Sequence, residues 1–302
     1  MFSRRHPYLF FILIFSSIMV TAFIGLSLVF MLAAMDADFD DLLKPGGEKV
    51  GIVELTGNIT SSRDIIHSLK YFRENSSIKA IVIRIDSPGG AVGPAQEIFR
   101  EIRKTVKTKK VIASMGTVAA SGGYYVAAGA DGIVANPGTI TGSIGVIMSF
   151  ANFQELFRKI GLVPVVVKSG LYKDIGSPVR EMTKDEENIL QNLSDQIHKQ
   201  FIVDIANGRS MDLSIVEGLA DGRIFTGEEA KNLGLIDRLG NLEDAIEWAG
   251  RMGGIKEKIS AVYAPKKKFS ILKFIAESSV KEIANMISNP SLYTGYLYSP
   301  SN

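Results

Sequence analysis

The chain has 302 residues, 46% of them hydrophobic and 22% charged, with a net charge of +2 and no cysteine. That length holds one large domain or two small ones. The near-neutral charge gives no hint of a nucleic-acid partner, and the absence of cysteine rules out a disulfide framework while remaining compatible with an oxidising compartment.

Tyr8 to Met35 is a run of 28 residues without a charged side chain. As a helix it rises roughly 42 Å, more than the roughly 30 Å hydrocarbon core requires. A cleavable signal peptide has an apolar region of only about 7–15 residues. The run therefore reads as a transmembrane anchor over 8–35, although Ala33, Ala34 and Ala37 leave cleavage open. Arg4 and Arg5 precede it, and Asp36, Asp38, Asp40 and Asp41 follow. Basic flanks stay in the cytoplasm, so residues 1–7 are expected inside and the bulk of the chain outside. A bacterial inner membrane with a periplasmic or external domain fits.

Residues 36–48 are acidic and then contain Pro and Gly, the composition of a linker. From Lys49 short apolar, β-branched runs end in turn residues: 50–57, 80–90, 110–116, 132–137 and 162–170. Helical patterns lie between several of them, notably 61–75 and 93–106. Nearly continuous apolar strands alternating with helices predict an α/β fold with mostly parallel, buried strands. Residues 182–209 read as a long helix opened by a capping box of Thr183 and Glu186. Residues 220–250 read as strand, helix, strand, helix. No internal repeat is visible, which favours one globular domain over 49–264. The segment 265–288 is basic and then amphipathic, suited either to a membrane surface or partner or to its own domain, and 288–302 reads as a loose tail.

Two segments carry chemistry. Asp86-Ser87-Pro88-Gly89-Gly90 follows a strand and precedes a helix, where free backbone N–H groups can face an anion. A tight turn explains the same glycines. Ser121, in AASGGYYVAAGA, stands near a helix start, where a serine is often only an N-cap. A serine nucleophile needs a base. His6 lies on the cytoplasmic side, and His67 and His198 sit within helical patterns, as surface residues do. Lysine is the remaining choice, with Lys168 at a strand end and Lys173 in a loop rich in Gly, Ser and Pro. Ser–Lys pairs are a variant of the Ser–His–Asp logic, provided that the lysine loses its proton.

IDSPGGAV, SMGTVAASGGYYVA, TGSIGV, KSGLYKDIGSP and ADGRIFTGEEAKNLGLIDRLG, in that order, resemble the short form of the signal peptide peptidase A family. The likeness runs from about Lys49 to Trp248. It implies a ClpP/crotonase-like spiral of ββα units and a Ser/Lys peptidase that needs no metal or cofactor. The family's spacing between nucleophile and lysine selects Lys173 over Lys168 as general base for Ser121. The resemblance also implies that Gly90 and Gly122 donate to the oxyanion hole and that Ser143 orients Lys173. It further implies a homo-oligomer whose active sites are shared between neighbours, acting on apolar peptides such as cleaved signal peptides. Two alternatives are a stomatin-associated-type membrane protease acting on other apolar segments and a non-catalytic crotonase-fold scaffold.

Overall fold

The computed structural model describes residues 6–36, 47–265 and 294–297. These fall into two compact units, one carrying the N-terminal helix and the other Glu48–Pro265 with residues 294–297. Helix α1 runs from Pro7 to Asp36, and its Tyr8–Gly25 window has a mean hydropathy of 2.3, long and apolar enough to cross a membrane. Its hydroxyls are turned back on the helix: Ser16 Oγ donates to the Leu13 carbonyl and Thr21 Oγ1 to that of Ser17. An apolar medium demands such self-satisfaction.

The second unit opens with β1 (Lys49–Thr56), α2 (Arg63–Glu74), β2 (Ile78–Ser87), β3 (Gly89–Ala91) and α3 (Val92–Thr105). Next come β4 (Lys110–Ala120), α4 (Gly122–Ala127), β5 (Gly132–Ala135), β6 (Ile140–Gly142), β7 (Ile147–Met148) and α5 (Gln154–Lys159). The long α6 (Lys184–Arg209) leads to α7 (Leu213–Leu219), β8 (Ile224–Thr226), α8 (Gly227–Asn232), β9 (Arg238–Leu239) and α9 (Leu242–Met252). Last are β10 (Ser260–Tyr263) and β11 (Thr294–Leu297).

The main sheet has the order β10-β1-β2-β4-β5-β9, with parallel pairing throughout that path. Alternation along the strands splits the core between its two faces. Ile81, Ile83, Ile85, Val111, Ala113 and Met115 face α2, α3, α4 and α6, with Leu69, Ile98, Tyr125 and Phe201 among their neighbours. Ala80, Val82, Ile112 and Val134 face α9 through Ala245, Ile246 and Ala249. Both faces are covered, which explains the near-continuous apolar runs that betray the central strands.

Most sequence expectations match these elements, including the α6 capping box: Glu186 N–H donates to Thr183 Oγ1, and Thr183 N–H to Glu186 Oε2. Three differ. β4 runs four residues past the expected 116, because 118–120 pair with β6 after 110–115 have paired with β2. Residues 162–170 form no strand. They lie exposed, Val163, Val165 and Val167 at 83, 85 and 96%, with no strand partner among the described residues. The expected loose tail contributes β11, which lies antiparallel between β3 and β7. The amphipathic segment expected at 265–288 lies almost wholly outside the described residues, as does most of the linker.

Candidate active site

The turn after β2 is built around a buried serine. Ser87 Oγ donates to the Gly57 carbonyl at 2.6 Å and accepts from Gly89 N–H at 3.1 Å. Asp86 fixes the same level of the sheet, its Oδ1 accepting from Val118 N–H at 3.1 Å. Gly90 follows with φ +158°, and a Cβ there would lie 2.3 Å from the Ile59 carbonyl oxygen, so only glycine fits. Ile59 bonds the Gly89 carbonyl and the Ala91 N–H, both at 2.8 Å. A bridge of that kind turns the N–H of the middle residue to the opposite edge. Gly90 therefore presents its N–H along the edge where β11 runs, with Tyr296 opposite.

β4 delivers Ser121 to the same end of the sheet, two residues beyond Ala119, which pairs with Ser87. Ser121 has φ +53° and ψ −117°, a region that a side-chain-bearing residue rarely occupies. Its N–H donates to the Gly142 carbonyl at 2.8 Å, and its own carbonyl accepts from Tyr125 N–H at 2.9 Å to start α4. It stands at the N-cap position, yet its side chain makes no capping bond or any other hydrogen bond among the described residues. The capping role that the sequence leaves open is not performed. A serine on a strained strand-to-helix turn with an uncommitted hydroxyl has the geometry of a nucleophile elbow.

α4 is pinned against this turn. A Cβ on Gly123 would come within 2.7 Å of the Ser87 carbonyl oxygen, so the helix start and the glycine turn touch through backbone. Gly122, the first helical residue, has an N–H without an acceptor inside the helix, as every helix start does. Tyr124 donates its hydroxyl to the Leu235 carbonyl at 2.9 Å, and burial pushes its phenol above the ordinary range. Tyr125 donates to Asp204 on α6 and packs on Phe99 and Phe201 at centroid distances of 5.1 and 4.7 Å.

Ser143 enters from β6. Ala120 and Gly142 are register partners, so the two strands leave the sheet together and Ser143 lies beside Ser121. Ser143 also has a positive φ, +51°, and its N–H donates to the Arg223 carbonyl at 2.8 Å.

The two lysines behave differently. Lys168 is committed: its Nζ lies 2.6 Å from Asp174 Oδ1 and 2.8 Å from the Leu171 carbonyl. Lys173 is exposed in a turn and its amine has no partner among the described residues. The fold thus gathers Gly90, Ser121, Gly122 and Ser143, but within one chain Lys173 forms no hydrogen bond with either serine. Neither histidine of this unit bonds them. His67 is exposed, and His198 is half-buried with a covered, unpartnered Nε2. Two supporting features have no role assigned from sequence: Ser87 as the brace of the glycine turn, and Asp174–Arg180–Glu186 as the brace of the lysine loop. The local signal for the first is a serine directly before Pro-Gly-Gly. For the second there is none, because charges six residues apart in a loop have no fixed geometry.

Comparison with known proteins gives this arrangement its context. Peptidase family S49 matches residues 103–256, and the Clp protease family matches 48–141. A provisionally named protease of Synechocystis sp. is 44% identical over 72% of this chain and 80% of its own length. A provisionally named signal peptide peptidase SppA of Enterococcus faecium is 37% identical over 65% of this chain and 60% of its own. The chloroplastic serine protease SPPA of Arabidopsis thaliana is 35% identical over 73% of this chain and 33% of its own. With a Clp-protease-like α/β unit and an S49 match across half its length, the chain belongs to peptidase family S49 and is a serine peptidase.

Proposed function

We propose that this serine peptidase works with Ser121 as nucleophile and Lys173 as general base, on apolar peptides that include signal peptides left in a membrane. The observation that carries it is Ser121 itself: buried, held at positive φ by β4, β6 and α4, directly before Gly122, and with a hydroxyl that makes no hydrogen bond among the described residues. Ser121 Oγ attacks the scissile carbonyl carbon while its proton passes to neutral Lys173. The oxyanion is met by the Gly90 and Gly122 N–H groups. Collapse of the tetrahedral adduct releases the amine, which takes the proton from Lys173 and leaves an acyl-enzyme. Water, giving its proton to the same lysine, hydrolyses it. Ser143, beside Ser121, orients the amine.

A peptide substrate is supported by β11. An extended strand antiparallel to β3, level with Gly90, is the mode in which a peptide adds to a sheet edge. The signal-peptide assignment draws on the name of the Enterococcus faecium relative. Helix α1 supports a single-pass anchor over 8–35, with residues 1–7 cytoplasmic, 36–48 a linker and the peptidase domain of 49–264 outside.

The uncovered segment 162–167, together with Leu171, supports a homo-oligomer. Lys173 lies in the loop that follows it, so a neighbouring chain seated there brings the base to its own Ser121. The test is fluorophosphonate labelling of the full chain together with cleavage of a signal-peptide substrate. Labelling and cleavage should both vanish in Ser121→Ala, and unlabelled wild type overturns the reading in favour of a scaffold. Profiling the membrane peptides that accumulate in a deletion strain separates signal peptides from other apolar segments.

A further inference from the structure

Lys173 is followed in sequence by a carboxylate, Asp174, its nearest prospective partner, yet the two form no ion pair among the described residues. Asp174 uses both oxygens elsewhere: Oδ1 accepts from Lys168 Nζ at 2.6 Å, and Oδ2 from Arg180 Nε at 2.9 Å. Arg180 also donates to the Asp174 main-chain carbonyl at 3.2 Å. The rest of its guanidinium grips Glu186 of α6, with Nη1 donating to Oε2 at 2.8 Å and Nη2 to Oε1. Glu186 in turn closes the α6 capping box with Thr183. The result is a chain of alternating charges, Lys168–Asp174–Arg180–Glu186, that sums to zero and ties the lysine loop to the start of α6.

The cluster is well covered at its acidic members, with side-chain exposures of 14% for Asp174 and 3% for Glu186. The hydrogen bonds from Arg180 and Lys168 hold the Asp174 carboxyl well below the usual carboxylate range, so it stays ionised at any working pH. Among the described residues, Lys168 and Arg180 are the cations whose side chains bond Asp174. Helix α5, which reaches the loop through the Phe153 N–H bond to the Pro178 carbonyl, keeps its Glu155 on its own Arg158 at 2.8 Å. From α6, Glu186 reaches the loop and bonds Arg180.

We propose that Lys168 and Arg180 are positioning residues that keep the Asp174 carboxylate from pairing with Lys173 and so leave the Lys173 amine available as a base. The proposal rests on the reading of Lys173 as that base. An ammonium beside a free carboxylate is held protonated, typically by about 1–3 pH units at contact distance, and a protonated amine has no lone pair with which to take the Ser121 proton. Asp174 is useful to the loop because it knits residues 168–180 into one turn. It is harmful to the adjacent amine unless both its oxygens are occupied. The two cations achieve both ends.

The experiment compares kcat/KM against pH for full-length wild type, Lys168→Met, Asp174→Asn and the double variant. Lys168→Met frees one oxygen of Asp174, so the rising alkaline limb should move up by about one pH unit. Asp174→Asn removes the anion and leaves two cations near the amine. Its limb should lie at or below that of wild type, with a lower kcat from the looser turn. In the double variant the upward shift should disappear, since no carboxylate remains to be freed. Should Lys168→Met unfold, Lys168→Gln makes the same comparison. Losses of activity with an unmoved limb in all variants overturn the proposal and leave the cluster as a brace. Full activity in Lys173→Ala, assayed alongside, removes the base assignment itself, an outcome distinct from an unmoved limb with Lys173→Ala inactive.

Discussion

Ser121 and Ser143 leave two paired strands at the same level and turn with nearly the same positive φ, +53° and +51°. One hydrogen bond couples them, from Ser121 N–H to the carbonyl of Gly142, the residue before Ser143. Non-glycine residues at such angles store strain of roughly 1–3 kcal/mol each, which persists only where surrounding structure imposes it. Here β4, β6 and α4 impose it. Ser121→Ala should abolish cleavage, a loss on the order of 10⁴-fold or more in kcat. Its melting temperature should match wild type, because the hydroxyl makes no hydrogen bond among the described residues. Ser143→Ala should lose only about 10–100-fold, as expected of a group that orients the base without reacting. Parallel rate measurements decide this, and equal, total losses would give Ser143 a larger part.

Gly90 and Gly93 lie three residues apart and offer a matched pair. A Cβ at Gly90 meets the Ile59 backbone oxygen at 2.3 Å, which no rotamer change relieves, whereas at Gly93 it meets nothing within 4 Å. Gly90→Ala should displace the N–H that faces the β11 edge and lower kcat by roughly 100–1000-fold, with a clear fall in melting temperature. Gly93→Ala, in α3, should keep activity and gain about 0.5–1 kcal/mol from helix propensity. Circular-dichroism melts and a single peptidase assay suffice. A Gly90→Ala chain with near-normal kcat would remove that residue from oxyanion binding.

Acid should loosen the lysine loop before it touches the sheet. Hydrogen bonds from Arg180, then from Thr183, hold the Glu186 carboxyl at about 2 in the folded chain, below its ordinary value. A depressed folded value contributes stability above the unfolded pKa of about 4.3, and that contribution is lost as pH falls from there through the folded value. Glu186→Gln keeps the capping geometry but not the charge. Its melting temperature should sit below wild type at pH 6–8, and the gap should close between about pH 4.5 and 2. A gap independent of pH would mean that the ion pair with Arg180 adds nothing.

What could be read in the sequence depended on whether local pattern decides structure. The strands Lys49–Thr56 and Ile78–Ser87 are buried on both faces, so their apolar runs announce them. The Thr183–Glu186 capping box is a spacing rule and was legible for the same reason. Residues 162–170 could not be settled that way: VPVVV has every mark of a strand, but pairing is a property of two segments, and none in the described chain takes it up. β11 shows the converse, since TGYL in a polar tail becomes a strand only because β3 and β7 offer open edges. The serine of the turn was visible as a small-residue context, but its positive φ and its unused hydroxyl were not. Those follow from β6, a contact over twenty residues away in sequence.

Within one chain Ser121 is buried and Lys173 exposed, and no hydrogen bond links them. Before Lys173 lies an exposed apolar stretch, 162–167, with Val167 at 96% exposure. A second copy seated on that stretch would cover it and carry Lys173 towards the neighbour's serine. If sites are shared in this way, a Lys173→Ala chain still offers Ser121 and a Ser121→Ala chain still offers Lys173. Each variant alone is inactive, but random co-assembly in equal amounts completes roughly a quarter of the contacts, one half for each required side of a head-to-tail interface. Co-expression with two affinity tags, tandem purification and a peptidase assay measure the recovered fraction. Mixed assemblies without activity would place both groups in one chain. In that case Lys173 would have to reach Ser121 by movement of the 168–180 loop against its charge cluster, and Asp174→Asn, which loosens that loop, would raise activity rather than lower it.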